Sequence, residues 1–406
     1  MKVRSLSLAP IIFTALFISS CSDNSSSDDA NPAYTVPVTY TFDRNGTSSV
    51  SYVGPADRLM MLDEMGAYIK TQATAGSVVS ETKLSSMYTN TDNQFALAGL
   101  NASNDELKDK TAASVDYFEM FMGGGSLAEQ TSVRSVFENT FSTANQASQG
   151  AIAAAGVAGS YLDGTSVRLF AANGLEPQQV FLKGMMGASL LDQIVNNFLS
   201  LNILDEDDNR VKNTNKIMVT DQNYTEMEHD WDRAYGYIFG ADVSGAAPVL
   251  KFWSSYISQV NADADFNTVS ADIDLAFRKG RAAIVNNDYS ARDAQINVIK
   301  SKLALVAAVR VVFYLQEGKA KLGTDNGAAA FHVLSEAYGF IMSLRYTNKP
   351  GTDNPYFSKT EVDMMLTELT SGTNGLWNVT PEILDSLSDD IATRFGFTII
   401  QAATVN

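Results

Sequence analysis

Cysteine and histidine are almost absent from this 406-residue chain, which has one of the first and two of the second. One cysteine excludes a disulfide framework and any multi-cysteine zinc or iron-sulfur site. Two histidines fall short of a three-histidine metal centre, and the H-E-x-x-H pair of common zinc peptidases does not occur. Positive charge is scarce as well: 29 Lys and Arg stand against 46 Asp and Glu, for a net charge of −17. Nucleic acid is therefore not an expected partner, because duplex binding needs a cationic face. Beyond residue 21 no stretch is long and apolar enough to span a bilayer. What is present, 45% hydrophobic and 18% charged residues, is the composition of a packed globular protein.

The amino terminus has the form of an address label. Lys2 and Arg4 give a positive start, an apolar stretch runs from Leu6 to Ile18, and the small residues Ser19 and Ser20 precede Cys21. Ile18-Ser-Ser-Cys21 resembles the lipobox of bacterial lipoproteins. Residues 1–20 are read as a signal peptide, Cys21 as the lipidated residue, and 21–36, polar and acidic, as a flexible tether. The apolar stretch, interrupted by Ser7, Pro10 and Thr14, is too short for a membrane helix. N-terminal acyl chains would then be the membrane attachment. Ser22 stands where an Asp would favour inner-membrane retention, which places the protein at the outer membrane, facing the periplasm or the surface.

From Tyr34 to Phe42 apolar and polar residues partly alternate, the pattern of a short extended segment. After that the periodicity is helical nearly everywhere. Leu59, Leu62, Met65 and Ile69 recur at helical spacing, as do Val133, Val136, Phe137, Phe141 and Ala144. Between Glu176 and Leu201 apolar residues cover most of the circumference, which predicts a central helix. Arg292 to Glu317 is a second long one, and Ser358 and Thr380 open later helices. The expected fold is all-α, a duplicated helical bundle, divided into 37–223 and a carboxy-terminal part, 224–406, that carries both histidines.

The duplication rests on the histidines. His229-Asp-Trp-Asp-Arg-Ala-Tyr-Gly-Tyr-Ile238 and His332-Val-Leu-Ser-Glu-Ala-Tyr-Gly-Phe-Ile341 align without gaps, each preceded by a long apolar helix. At about 100° per residue, Trp231, Ala234, Tyr235 and Ile238 share one face and the histidine lies on the other. Gly236 and Gly339 follow the histidines by seven positions, and each lowers helix stability by about 1 kcal/mol relative to Ala. Close approach of another backbone, or room for a ligand, would offset that. Thr225-x-x-Glu228 is a capping-box pattern. Carboxylate-bridged di-metal bundles use two E-x-x-H pairs. Glu226 and His229 make one, but Ala329 stands where the second needs its Glu.

These segments, with Tyr40-Thr-Phe-Asp-Arg, Lys279-Gly-Arg-Ala-Ala-Ile and Tyr289-Ser-Ala-Arg-Asp, resemble the imelysin-like proteins of bacterial envelopes, and more closely a poorly characterised family of envelope lipoproteins. The resemblance implies two related helical bundles and the motif H-x-x-E. Carried over, the histidine falls on His229 and the acid on Asp232. In the second segment Ser335 takes the acid's place and Glu336 stands one residue further on. If the repeats face each other, His229, Asp232, His332 and Glu336 would hold a divalent metal or iron. The competing expectation is that each histidine bonds its neighbouring acid and orders the contact between repeats.

Weaker patterns have plain readings. Asp205-Glu-Asp-Asp-Asn209 begins like a calcium loop, but Arg210 and Lys216 stand where glycine and the bidentate acid belong. Arg278, Lys279, Arg281, Arg292 and Arg310 concentrate positive charge, by default in ion pairs with neighbouring acids. Gly123-Gly-Gly125 reads as a hinge, and the 14 methionines as core filler. No nucleophile motif is present. The sequence thus favours a non-enzymatic, lipid-anchored binding or accessory protein, with a metal or metal complex as ligand and a link to iron uptake as what the resemblance implies. A metal-dependent peptidase is the alternative, and a lipoprotein serving an envelope protein partner the third.

Overall fold

The computed structural model describes residues 34–121, 127–245, 248–352 and 354–405. The segment read as a signal peptide, Cys21, most of the stretch read as a tether and the expected hinge at Gly123–Gly125 lie outside them. Val36–Asn406 forms a compact unit, in which the buried apolar side chains make one cluster from Leu59 to Val405. The chain is 63% helical, with two small two-stranded sheets, so the mostly α expectation holds. Among the described residues no helix is long and apolar enough to cross a membrane.

The extended segment expected over Tyr34–Phe42 is not a strand. Pairing begins just after it, where β1 (Asp43–Arg44) and β2 (Thr47–Ser48) form a tight hairpin. Asn45 and Gly46 turn it with φ of 53° and 77°, the left-handed pair that a two-residue hairpin needs. The second hairpin joins β3 (Gly159–Asp163) to β4 (Ser166–Phe170).

The helices are α1 (Val53–Ala75), α2 (Glu81–Tyr88), α3 (Ala98–Ala102), α4 (Leu127–Ala147), α5 (Pro177–Met185), α6 (Leu201–Leu204), α7 (Asn209–Thr214) and α8 (Glu226–Phe239). They continue through α9 (Phe252–Ala262), α10 (Val269–Val285), α11 (Tyr289–Lys321), α12 (Phe331–Ser343), α13 (Lys359–Leu369), α14 (Pro381–Phe395) and α15 (Ile399–Ala403). Capping boxes start α8, through Thr225 and Glu228, and α13, through Ser358 and Glu361. The two histidine helices occupy matching surroundings, α8 against α1 and α10, α12 against α5 and α11.

Beyond Met185 the rod begun by α5 continues in π-helical turns, Met186–Leu191 and Ile194–Phe198. This rod carries Ser189, Asp192, Gln193 and Asn196, all buried, into the core. Asp192 Oδ1 accepts hydrogen bonds from Ser114 Oγ at 2.6 Å and Asn196 Nδ2 at 3.1 Å, while Oδ2 has no partner among the described residues. Burial pushes its pKa up to about 7, against the pull of those donors. A folded-state pKa above the unfolded value means stability is lost as pH rises between the two. Asp192→Asn should therefore stabilise the protein at pH 8, by at most about 4 kcal/mol if the full shift acts. The gain should vanish toward pH 4, as urea unfolding at the two pH values will show.

Candidate functional site

His229, Asp232, His332 and Glu336, the four expected metal ligands, each have partners of their own. Among the described residues no group of three or more His, Cys, Asp or Glu is placed to hold a metal ion. Each histidine, and the residue three positions on, instead grips the chain that enters another helix. His229 Nδ1 lies 3.0 Å from the carbonyl oxygen of Ser51, and Asp232 Oδ2 accepts the Ser51 N–H at 3.2 Å. Both polar groups of that peptide segment are thus satisfied by one helix face, just before α1 begins. In the second segment His332 Nδ1 lies 2.6 Å from Glu176 Oε2, and Ser335 Oγ accepts the Glu176 N–H at 2.8 Å, just before α5.

The glycines complete each clamp. A methyl at Gly236 would overlap Tyr52 and stand 3.1 Å from Pro55 Cβ, while one at Gly339 would overlap Lys183 and stand 2.8 Å from the Gly184 nitrogen. Close approach of α1 and α5 accounts for both. On the other side of each helix a second glycine faces the clamp helix: Gly280 of α10 lies under Trp231, and Gly318 of α11 under Leu334, the aligned residue. Neither histidine bonds the acid on its own helix, as the simpler expectation had it. Glu176 as the partner of His332 had no sequence signal.

The first clamp sits on a buried ionic hub. Arg281, fully buried, donates from Nε to Asp232 Oδ1 at 3.0 Å and from Nη2 to the Ser49 carbonyl at 3.1 Å. Its Nη1 stands 3.1 Å from Glu228 Oε1, an ion pair without hydrogen-bond geometry. Arg44, on the hairpin, grips the same Glu228 with both terminal nitrogens, at 3.0 and 2.7 Å. Tyr40 donates to Asp232 at 2.6 Å and stacks on Tyr235 with ring centres 3.7 Å apart. Burial pushes Asp232 up to about 6 although Arg281 and Tyr40 pull it back. Burial also acts on Glu228, but Arg281 and Arg44 hold it below the usual carboxylate range. Glu336, the remaining candidate, pairs with Lys183 of α5 at 3.2 Å.

The basic concentration is mostly spent inside the protein. Arg278 pairs with Asp274, and Arg292 with Asp205 and Asp293, while Arg310 stacks over Phe313 and Tyr314. Asp205, the start of the calcium-like pattern, is held down to about 2 by Arg210 and Arg292 despite its partial burial.

One face of the first clamp opens into a cleft of about 630 Å³ between α8 and the start of α1. His229, Asp230, Arg233 and Tyr237 line it from α8, Arg58 from α1. A carbonyl oxygen only accepts, so His229 Nδ1 carries the proton toward Ser51 and Nε2 keeps its lone pair. Nε2 has no partner among the described residues. Burial and the nearby Arg233 lower the imidazole pKa to about 4, against the pull of the Ser51 carbonyl, so it stays neutral at ordinary pH. Asp230 moves the other way, up to about 7, through burial and the crowding of Glu226 and Glu206 against Arg233.

A mostly helical unit with two matched histidine clamps, the first of them beside a polar cleft, is thus the class of protein defined. A family model described as a domain of unknown function (DUF4856) matches residues 37–398. The chain belongs to that family. No curated protein and no solved structure matches it.

Proposed function

We propose that this chain is a lipid-anchored binding or accessory protein of the cell envelope, of imelysin-like descent, whose duplicated clamp unit keeps one ligand cleft. The observation that carries the reading is His229: its tautomer is fixed by Ser51, it is neutral, and Nε2 is left to the cleft. His332 does not line this cleft, and its Nδ1 is taken by Glu176. With two histidines in the chain, imidazole NMR tests the site directly. His229 is expected to remain neutral down to pH 5; titration near pH 6.5 would remove the basis of the reading. The anchor is tested by Cys21→Ser, which should release the protein from the membrane fraction. Unchanged partition would rule the acyl attachment out.

A second reading is favoured by the same tautomer. Imidazoles that bind metals commonly donate their other N–H to a carbonyl or carboxylate. Because no group of three or more His, Cys, Asp or Glu is placed to hold a metal ion among the described residues, the metal would have to arrive as a complex with its own donors, as an iron-uptake role would require. Metal content of protein purified without chelator should then fall in the His229→Ala variant and persist in His332→Ala. The peptidase alternative needs a metal held by several side chains, for which no group of three or more is placed among the described residues.

A further inference from the structure

The donors and acceptors around the cleft are unequally committed. Arg58 donates from Nε to the Glu106 carbonyl at 2.8 Å, pairs through Nη1 with Asp105 at 2.9 Å and through Nη2 with Asp109 at 3.2 Å. Arg233 Nη1 serves Asp230 at 2.7 Å and Glu226 at 3.3 Å, and its guanidinium lies over the Phe198 ring at 5.5 Å. Lys110 stands 3.8 Å from Asp109. The cations are therefore occupied by the protein's own acceptors. An anion entering the cleft would have to displace them.

The acceptors are in surplus. Asp105, Asp109, Glu206, Glu226 and Asp230 face three cations, and Glu206 has no cationic partner within ion-pair distance among the described residues. His229 Nε2 adds an unshared lone pair. Tyr237 is fully buried with its hydroxyl unpartnered, and that hydroxyl lies within electrostatic reach of Arg58, Asp105, Asp109 and Arg233, all lining residues. A buried hydroxyl left unpaired is destabilising unless something bonds it.

We propose that the cleft takes an organic ammonium ligand, a short di- or polyamine, whose N–H groups bond Glu206, His229 Nε2 and the Tyr237 hydroxyl. An ammonium group has three donors and no acceptor, the complement of this set. It needs no clustered metal ligands, and its methylene spacers suit the walls made by Phe198, Pro55 and Ile203. The inference rests on the cleft being the binding site.

Calorimetry with spermidine and putrescine, on the mature chain in 150 mM salt, tests it. Saturable binding is expected, weakened at least tenfold by Glu206→Gln and at least threefold by Tyr237→Phe. Tyr237→Phe should keep or raise Tm, since the hydroxyl has no partner in the fold, so a loss of affinity there cannot come from unfolding. Glu382→Gln, an equal charge change at an exposed position of α14, should bind as wild type. No binding, or three variants that behave alike, overturns the proposal and leaves only counterion association with an acidic protein. If amines fail but a metal chelate or an anion shifts the His229 imidazole resonances, the ammonium assignment falls and the cleft reading stands. If no probe shifts them, both fall.

Discussion

Arg281→Met should cost on the order of 3–5 kcal/mol of unfolding free energy. The guanidinium is the partner of two fully buried carboxylates, Asp232 and Glu228, and holds the Ser49 carbonyl as well. Methionine fills much of the volume but leaves Asp232 charged in a dry site, with only the Tyr40 hydroxyl and the Ser51 N–H for company. Glu228 keeps Arg44 and the Thr225 N–H, so the loss falls mainly on Asp232. Its pKa is already raised with the arginine present and should rise further without it. A raised folded-state carboxylate pKa means the penalty grows as pH climbs above the unfolded value and shrinks as the group protonates. The deficit of Arg281→Met against wild type should therefore be largest at pH 8 and smaller at pH 5. Adding Asp232→Asn should recover part of it. Equal deficits at both pH values, measured by urea unfolding, would show that lost packing rather than stranded charge is responsible.

Gly280→Ala is expected to cost about 2–3 kcal/mol, although alanine is the better helix former by about 1 kcal/mol. The added methyl would overlap the six-membered ring of Trp231 and stand 2.9 Å from its Cε2. Trp231 cannot swing aside cheaply: it is fully buried, and its Nε1 donates to the Phe277 carbonyl at 3.0 Å. Trp231→Phe removes the ring atoms in the way. In a double-mutant cycle, Gly280→Ala and Trp231→Phe should couple by 1 kcal/mol or more, with the pair less harmful than the sum of the singles. Simple additivity would mean that α10 shifts as a body and that the glycine is not the seat of the contact.

Helices were readable because their signals are local. The capping boxes at Thr225 and Ser358 and the apolar stripes of α1, α4 and α11 each lie within one or two turns of sequence. The first hairpin was missed: the alternation over Tyr34–Phe42 drew attention to a short extended segment, while the turn pair Asn45-Gly46 just beyond it went unread. The β3–β4 hairpin sits in a stretch with Gly164 at its turn, φ 59°, and only weak alternation around it.

The site was half legible. Scarcity singled out the histidines, and the Ala-Tyr-Gly repeat predicted that they occupy matching places. Their partners were not predictable, because His229 bonds a main-chain carbonyl 178 positions away and main-chain atoms carry no sequence signature. Arg281 stood in a recognised basic run, yet its choice of Asp232 and Ser49 is a property of packing. Asp232 was matched to the H-x-x-E acid by spacing alone, and spacing does not say which way a buried carboxylate is satisfied.

The hairpin and its neighbours join residues made at opposite times. Tyr40 waits for Asp232, 192 positions later, and Ser49 for Arg281, 232 positions later. A chain growing from its amino terminus carries Tyr40, Phe42 and the hairpin undocked until α10 has been completed, so this corner must close late and across a long loop. Until then the same aromatic residues that later seal the hub are an unfinished, apolar end.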